Sequence, residues 1–495
     1  MTRPRRGCLW AACGRLLCLL LLTSACTVGP DFSRPSAPTQ QGYVRDALPN
    51  TVAAQGRTQR FSAGADVSAY WWRLFRNPSL DALVQQAIAQ NMTLQAAQAS
   101  LRQSQHLLMA GNGVFYPWLD ARFEASRQRN SAVRQGLTTT DSIFNLLTLS
   151  GTISYTLDLF GGARRTVEGL QAQVDQQTWL MQATYLTLTA NVVNAAIARA
   201  AYAAQIEATE QLIDLQLQQL RSTEAQVRGG TVPYSATLSL KSLIAANQAQ
   251  LPALKQKVSQ AEHLLATLEG VAPSQVELPQ IRLSELMLPE DLPVSLPSML
   301  VRQRPDILAA EAQLHQASAA IGVATAAMFP SFSLTGTYGT AGSSAHSLFA
   351  DGGRLWSIGH AVDIPLFQGG RLWFGRKAAI DAYQQASANY RQVVLESFAQ
   401  VADVLKALEF DAVALQKQAE AQASAQEALR LLQANYRSGL VTYLDLLVAD
   451  VQLHQVNIAY LQALAQRYQD TVALFIALGG GWWNRADAGG GRPAP

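Results

Sequence analysis

Charge is scarce along this chain. Acidic and basic residues make up 15% of its 495 positions, against 49% hydrophobic, a low charge content for a soluble protein of this size. Long apolar runs are scarce too. Beyond the N-terminus no stretch approaches the roughly 18 uninterrupted apolar residues that a spanning helix needs, which argues against a helical membrane bundle. A closed β-barrel is the span that such a sequence leaves open. Cysteine is missing after position 26, so the mature chain has no disulfide framework. The histidines (His106, His263, His315, His346, His360, His454) are scattered without ligand spacing. There is no Gly-x-Gly-x-x-Gly, no phosphate-binding loop and no His-Glu-x-x-His. Gly336-x-x-Gly339-x-x-Gly342 is strand and loop glycine. These absences leave no catalytic constellation, so the chain reads as a non-enzyme with no metal site.

The N-terminus accounts for the surplus positive charge and for every cysteine. Arg3, Arg5, Arg6 and Arg15 flank an apolar run from Leu16 to Leu22, and Ser24 and Ala25 precede Cys26. This is a secretory signal, residues 1–25. Its four arginines leave with it, which turns the formal charge from +3 to −1, so nothing points to nucleic acid. The signal also makes the Asn91-Met92-Thr93 glycosylation pattern irrelevant in a bacterial chain. Cys8, Cys13 and Cys18 go with the signal. Cys26 is left alone after small residues, in the manner of a bacterial lipobox, although Thr23 stands where Leu is usual. Two outcomes fit: a covalent acyl and diacylglycerol modification of Cys26, or ordinary cleavage nearby. Thr27 in place of Asp favours sorting to the outer membrane. Acyl chains contribute about 0.8 kcal/mol per buried methylene, so a multiply acylated Cys26 anchors firmly in lipid.

What the chain has in abundance is repetition. A Pro-started strand, a second strand, a glycine turn, a very long helix, another glycine turn and a further helix occupy residues 117–270 and return over 330–480. Pro117 answers Pro330, Phe160-Gly161-Gly162 answers Phe367-Gln368-Gly369-Gly370, and Arg228-Gly229-Gly230 answers Arg437-Ser438-Gly439. One structural unit is used twice around an axis. Ahead of the first copy, residues 27–61 are rich in Pro, Gly, Ser and Gln and read as extended coil. Trp71, Trp72 and Phe75 read as packing for the helix that Asn77-Pro78-Ser79 starts. A second helix is expected over 94–110, and Arg304-Pro305-Asp306 leads one to about residue 328.

The strand patterns have period 2. Leu119, Ala121, Phe123 and Ala125 alternate with Asp120, Arg122, Glu124 and Ser126. Leu149, Gly151, Ile153, Tyr155 and Leu157 alternate with Ser and Thr. Phe332, Leu334, Gly336 and Tyr338 do the same, and Trp356, Ile358, Val362 and Ile364 share a face with His360. Each strand alone fits a soluble sandwich as well as a lipid-facing barrel. Four strands in two hairpins cannot close by themselves, and open edges are not tolerated in lipid. Three chains of four strands give about twelve, wide enough for an aqueous lumen.

Residues 164–228 and 371–438 contain no proline and one internal glycine each. At 1.5 Å per residue each run reaches roughly 100 Å. Both are rich in Ala, Gln and Thr rather than in heptad Leu. That pattern suits a hollow helical cylinder, with a solid coiled coil as the alternative.

Helices of this length, continuous with barrel-type strands in a secreted and duplicated chain, form a specific combination. Here the sequence resembles the TolC-like outer-membrane efflux proteins, lipoprotein branch. The carriers are Cys26 with Gly29-Pro30-Asp31-Phe32, Arg302-Gln303-Arg304-Pro305-Asp306 with Ala310-Glu311, and Tyr436-Arg437-Ser438-Gly439. Tyr443-Leu444-Asp445-Leu446-Leu447 and Ala477-Leu478-Gly479-Gly480-Gly481-Trp482 complete the set. The resemblance implies an all-α plus membrane-β fold: a homotrimeric twelve-stranded outer-membrane β-barrel continuous with a twelve-helix periplasmic α-barrel. It divides the chain into an N-terminal anchor and equatorial segment (26–76), a first repeat (77–270) and an inter-repeat equatorial segment (271–300). A second repeat (301–480) and a tail (481–495) follow. Strands are expected near 117–128, 149–159, 331–340 and 355–366, and long helices at 164–228, 233–269, 371–438 and 442–478. The implied function is a passive duct of a tripartite pump, exporting drugs or other toxic small molecules. Its implied partners are a periplasmic adaptor (membrane fusion protein) and an inner-membrane transporter of the RND or another type. A type I protein-secretion channel shares the fold, and a structural coiled coil without conductance is a third reading.

The resemblance also implies a pinch at the periplasmic end. Asp445 matches a gate aspartate, Leu444 a gate leucine and Tyr436 a tethering tyrosine, while Val448 stands where relatives often carry a second aspartate. The tips that meet the adaptor are then Arg228, Gly229, Gly230 and Thr231 in the first half and Arg437, Ser438, Gly439 and Leu440 in the second. Without the resemblance, Asp445 reads first as a solvated or capping carboxylate near a helix start.

Overall fold

The period-2 runs fold as strands and the proline-free runs as helices. The structure, a computed structural model, describes residues 27–40, 42–45, 51–54, 57–130 and 142–485. The signal, Cys26, residues 131–141 and the tail from residue 486 lie outside the described residues. In chain order the elements are β1 (Thr51–Ala54), β2 (Arg57–Ala63), α1 (Pro78–Gln90), α2 (Met92–Gly111), β3 (Trp118–Asn130) and β4 (Ser142–Leu157). Then come α3 (Gly162–Arg228), α4 (Tyr234–Gln248), α5 (Leu251–Glu269), β5 (Asp291–Val294), α6 (Pro297–Gln303) and α7 (Pro305–Ala326). The chain closes with β6 (Ser331–Gly342), β7 (Arg354–Asp363), α8 (Arg371–Arg437) and α9 (Tyr443–Ala477).

Several expected boundaries move, for physical reasons. Residues 233–269 are not one helix. The chain breaks at Ala249-Gln250, because Pro252 lacks an N–H and is tolerated only in a first turn, which it supplies for α5. Strand β4 starts at Ser142 rather than near 149, because its first half pairs with the far half of β3, from Ser142↔Asn130 to Thr148↔Glu124. Strand β7 ends at Asp363 rather than 366, two residues before Pro365. The coil expected over 27–61 contains β1 and most of β2. Strand β2 is fixed by a partner far along the chain: it pairs in parallel with β5, Phe61↔Leu292.

The chain forms two compact units, residues 1–34, 101–176 and 310–390 in one, and 35–100, 177–309 and 391–495 in the other. The first holds an antiparallel sheet in the order β3-β4-β6-β7, with β3 and β7 at its edges. The register joins the two halves of the duplication. Leu119 faces Ile153, Ile153 faces Gly336 and Gly336 faces Ile358; on the neighbouring row Ala121, Gly151, Tyr338 and Trp356 line up. These positions therefore share one face, and Ser150, Thr152, Thr335, Thr337 and Ser357 share the other, where Thr152 and Thr337 hydroxyls meet at 3.2 Å. Strand polarity alternates residue by residue, so a slip of one residue would turn this mainly apolar face over. His360 lies on it, opposite Leu334.

In the same unit the segment after Cys26 is pinned down. Arg165, itself buried, donates to Asp31 (2.6 Å) and to Glu168 (2.7 Å). Glu168 also meets His315 at 2.9 Å, and Phe32 stacks on the His315 ring at 4.3 Å. Arg34 pairs with Glu311 at 2.6 Å. Gly29, at φ +96°, crosses Gly322 so closely that a β-carbon would stand 2.5 Å from its Cα. The Gly-Pro-Asp-Phe motif thus supplies a glycine crossing, a charge and a ring to one docking site.

The second unit packs around Trp71, Trp72, Phe75, Val193, Ile197, Leu405, Leu408 and Phe475. Asn77 caps α1 by accepting from Leu80 N–H at 2.9 Å, and Asn91 caps α2 through Leu94 N–H. The Arg-Pro-Asp motif clamps the end of α9. Arg304 donates to both oxygens of Asp306 (3.0 and 2.7 Å) and to the carbonyl of Ala477 (2.8 Å), while Trp482 Nε1 donates to the carbonyl of Gln303. The long helices α3 and α8 have the same length, 67 residues each.

Candidate functional site

The two turns that end α3 and α8 are built alike. Gly230 (φ +72°) and Gly439 (φ +75°) hold left-handed backbone at matching places. Thr231 N–H donates to the carbonyl of Gln226, and Leu440 N–H to that of Asn435. This is a Schellman close, in which glycine bears the conformation that other residues resist. Arg228, Gly229, Gly230 and Thr231 thus form one tip and Arg437, Ser438, Gly439 and Leu440 the other.

The start of α9 is locked by Thr442 and Asp445. Oδ2 of Asp445 accepts from the Thr442 N–H (2.8 Å) and hydroxyl (2.6 Å), and the Asp445 N–H donates back to that hydroxyl. The Thr442 hydroxyl first, and its backbone N–H second, hold the Asp445 carboxyl below the usual carboxylate range. Asp445 is therefore a capping carboxylate in this chain, and it is also fully exposed, with a negative charge free to act on its surroundings. Leu440, Leu444 and Val448 follow one another at four-residue spacing and are all exposed, Leu444 by 64% and Val448 by 61%. Leu444 and Val448 lie on one face of α9, and Leu440 in the turn before it.

Tyr436 bridges the two halves. Its hydroxyl donates to Oε1 of Gln226 on α3 at 3.2 Å, and its ring meets that of Tyr443 edge-on at 6.2 Å. Beneath, Ile213, Leu240 and Ile244 form a small core, packed by Leu220, Tyr443 and Leu447. Lys241 pairs with Glu224 across α3 and α4, and Asn247 donates to Gln216 in the interior. The structure thus brings Tyr436, Asp445 and the Leu444–Val448 face to one end of one unit.

Sequence reasoning missed two residues here. Asp450 and His454 sit one and two turns beyond Leu446 on its buried face. Burial pushes the Asp450 carboxyl up to about 6 and lowers the His454 imidazole, whose Nε2 has no hydrogen-bond partner among the described residues. The signal was the spacing of residues 446, 450 and 454, but polar residues at core positions break the hydrophobic pattern that marks an inward face. Gln226, the partner of Tyr436, gave no signal at all. No group of three potential metal ligands occurs among the described residues.

The model of the outer membrane efflux protein family matches residues 83–271 and 296–480, both copies of the repeat. The chain is 30% identical to the pyoverdine export outer membrane protein OpmQ of Pseudomonas aeruginosa, over 94% of this chain and 95% of that one. It is 27% identical to the cation efflux system protein CusC of Escherichia coli K12, over 94% and 98%. The crystal structure of the open state of the Neisseria gonorrhoeae MtrE outer membrane channel superposes with a TM-score of 0.79 at 26% identity, covering 94% of this chain and all of that one. With both repeats matched and the fold shared along nearly its whole length, this chain belongs to the outer membrane efflux protein family.

Proposed function

We propose that this outer-membrane efflux channel works as a homotrimeric passive duct. The edge strand β7 of one copy pairs with β3 of the next, closing twelve strands into a barrel whose apolar face meets lipid. The observation that carries this reading is the register of β3-β4-β6-β7. It lines up the rows of Leu119 and Ala121 into one mainly apolar face and leaves the β3 and β7 edges unpaired, an arrangement that hydrocarbon does not tolerate until it closes. The long helices carry the duct through the periplasm. At their ends three Leu444–Val448 faces pinch the lumen, with Asp445 charges beside them and Tyr436 holding the coils inward. The tips dock on a periplasmic adaptor that links the duct to an inner-membrane transporter of the RND or another type. Cys26, once acylated, holds each copy to the outer membrane. The cargo is a drug or other toxic small molecule, in keeping with the export and efflux relatives named above; a wide wet duct need not bind what passes.

Light scattering of the detergent-solubilised protein tests the reading, with three times the mass of the mature chain expected; a monodisperse monomer overturns the barrel. Mass spectrometry of the mature N-terminus tests the anchor separately. An unmodified N-terminal residue other than Cys26 overturns the lipoprotein assignment, and Cys26→Ser is expected to abolish acyl labelling while the barrel still inserts.

A further inference from the structure

We infer that a cavity at the foot of the sheet receives an acyl chain of Cys26, so that the lipid is part of the packed protein and not only its tether. The inference rests on the acylated Cys26 of the functional reading.

The cavity has a volume of about 730 Å³ and lies where strands end and helices begin, with walls that include Val114, Leu157, Phe160, Val323, Phe329 and Ile364. A volume of this order holds a single elongated ligand. Two carboxylates line it, Asp158 and the exposed Asp363, and the first is already engaged. Asp158 accepts from the N–H groups of Ala163 (3.1 Å) and Arg164 (2.9 Å) and from the Arg164 side chain (3.2 Å), capping α3. The rest of the wall is dominated by aliphatic and aromatic groups, with Phe160 stacked on Phe329 at 4.7 Å. Phe329 and Ile364 remain exposed. An apolar hollow of this kind, at the level where hydrocarbon gives way to headgroups and water, is covered by something.

The occupant follows from where the described chain begins. Thr27 rests on Gly161, which lies between the cavity residues Phe160 and Gly162. A β-carbon at Gly161 would stand 2.9 Å from the Cα of Thr27. Val28 N–H donates to the carbonyl of Phe160 at 3.1 Å. Thr27, to which Cys26 is bonded, thus stands against a residue flanked by two members of the cavity wall. The ion pairs of Arg165 with Asp31 and of Arg34 with Glu311, together with the Gly29–Gly322 crossing, fix that position.

Full-length protein is produced in cells fed a palmitate analogue that carries an alkyne and a diazirine. It is irradiated in isolated outer membranes and mapped by mass spectrometry. Recovery of the analogue on the Cys26 peptide establishes the lipidation on its own. The expected result is cross-links from that chain to the peptides containing Leu157–Phe160 and Val323–Phe329. Filling the cavity with Ala327→Phe, at an exposed wall position, is expected to abolish these cross-links and divert the label to phospholipid. Labelled Cys26 with cross-links only to phospholipid, or only to the apolar face of the sheet, in the wild-type protein overturns the cavity assignment and leaves the lipoprotein reading standing. Absence of label from Cys26 overturns both.

Discussion

The hydroxyl of Tyr436, near the end of α8, donates to Oε1 of Gln226, near the end of α3, across 3.2 Å. The two residues belong to opposite halves of the duplication, so this bond ties the first tip to the second. A neutral hydrogen bond of this kind contributes about 1 kcal/mol, enough to bias a gate and too little to lock it. Removing the tether together with the charge, in Tyr436→Phe with Asp445→Asn, is expected to raise single-channel conductance in planar bilayers, weaken divalent-cation block and admit large antibiotics to cells that lack the pump. Asparagine retains an acceptor oxygen for the cap. Unchanged conductance and cation block in the double variant return Asp445 to a capping role and move the constriction elsewhere, with Val448 the next candidate.

Asp450 makes the tip bundle sensitive to pH in an unusual direction. Its carboxyl is raised to about 6 in the folded chain, so between about pH 4 and 6 the folded state holds a proton that the unfolded state has lost. Stability therefore falls as pH rises through that window and stays low above it, by roughly 3 kcal/mol in all. In a His454→Gln background, which removes the opposing titration of the lowered imidazole, hydrogen exchange of the α9 amides, corrected for intrinsic rates, should show stronger protection at pH 4.5 than at pH 7. Adding Asp450→Asn should remove the difference and raise protection at neutral pH. An identical pH dependence in that variant would assign the effect to another group.

The two faces of β7 should answer differently to a charge. Ile358 lies on the apolar face and is 84% exposed; Ser357 lies on the opposite face. A lysine facing the bilayer midplane costs about 2–4 kcal/mol in a barrel, whereas lumen substitutions cost little. Ile358→Lys is expected to cut the yield of heat-resistant trimer in outer membranes, and Ser357→Lys to leave it near wild type. Equal yields would reverse or void the assignment of faces.

Arg304 is the clasp on the end of α9. It is nearly buried and holds Asp306 and the Ala477 carbonyl together. Arg304→Ala frees the Ala477 carbonyl and leaves Asp306, which is 43% exposed and still accepts from the Ile307 N–H, with fewer partners; the lost bonds cost about 1–3 kcal/mol. Arg304→Lys keeps the charge but not the fork, and should fall between Ala and wild type. Thermal conversion of trimer to monomer on semi-native gels orders the three proteins, and an Ala variant that melts with the wild type would mean the clasp carries no stability.

The architecture was legible where one period dominated. Leu119 to Ala125 and Phe332 to Tyr338 declared strands, and the proline-free runs declared α3 and α8. The sheet of β1, β2 and β5 was not legible, because Phe61 owes its strand to Leu292 and nothing local records that pairing. Pro252 did mark a helix start, and reading 233–269 as one helix overlooked it. At the site, Thr442-x-x-Asp445 carried its capping role openly. The partner of Tyr436 and the burial of Asp450 did not, since both depend on which helices lie alongside.

The equal lengths of α3 and α8 constrain how this protein can change in size. One extra residue in α3 alone would advance its closing turn by about 1.5 Å and swing it through about 100°. Gln226 would then face away from Tyr436. A longer or shorter relative must therefore alter both long helices at once, along with the helices that return from them. The steps that restore the angle are insertions of about seven or eleven residues. Reach into the periplasm is thus quantised by the helical repeat, and the duplication makes each step a paired event.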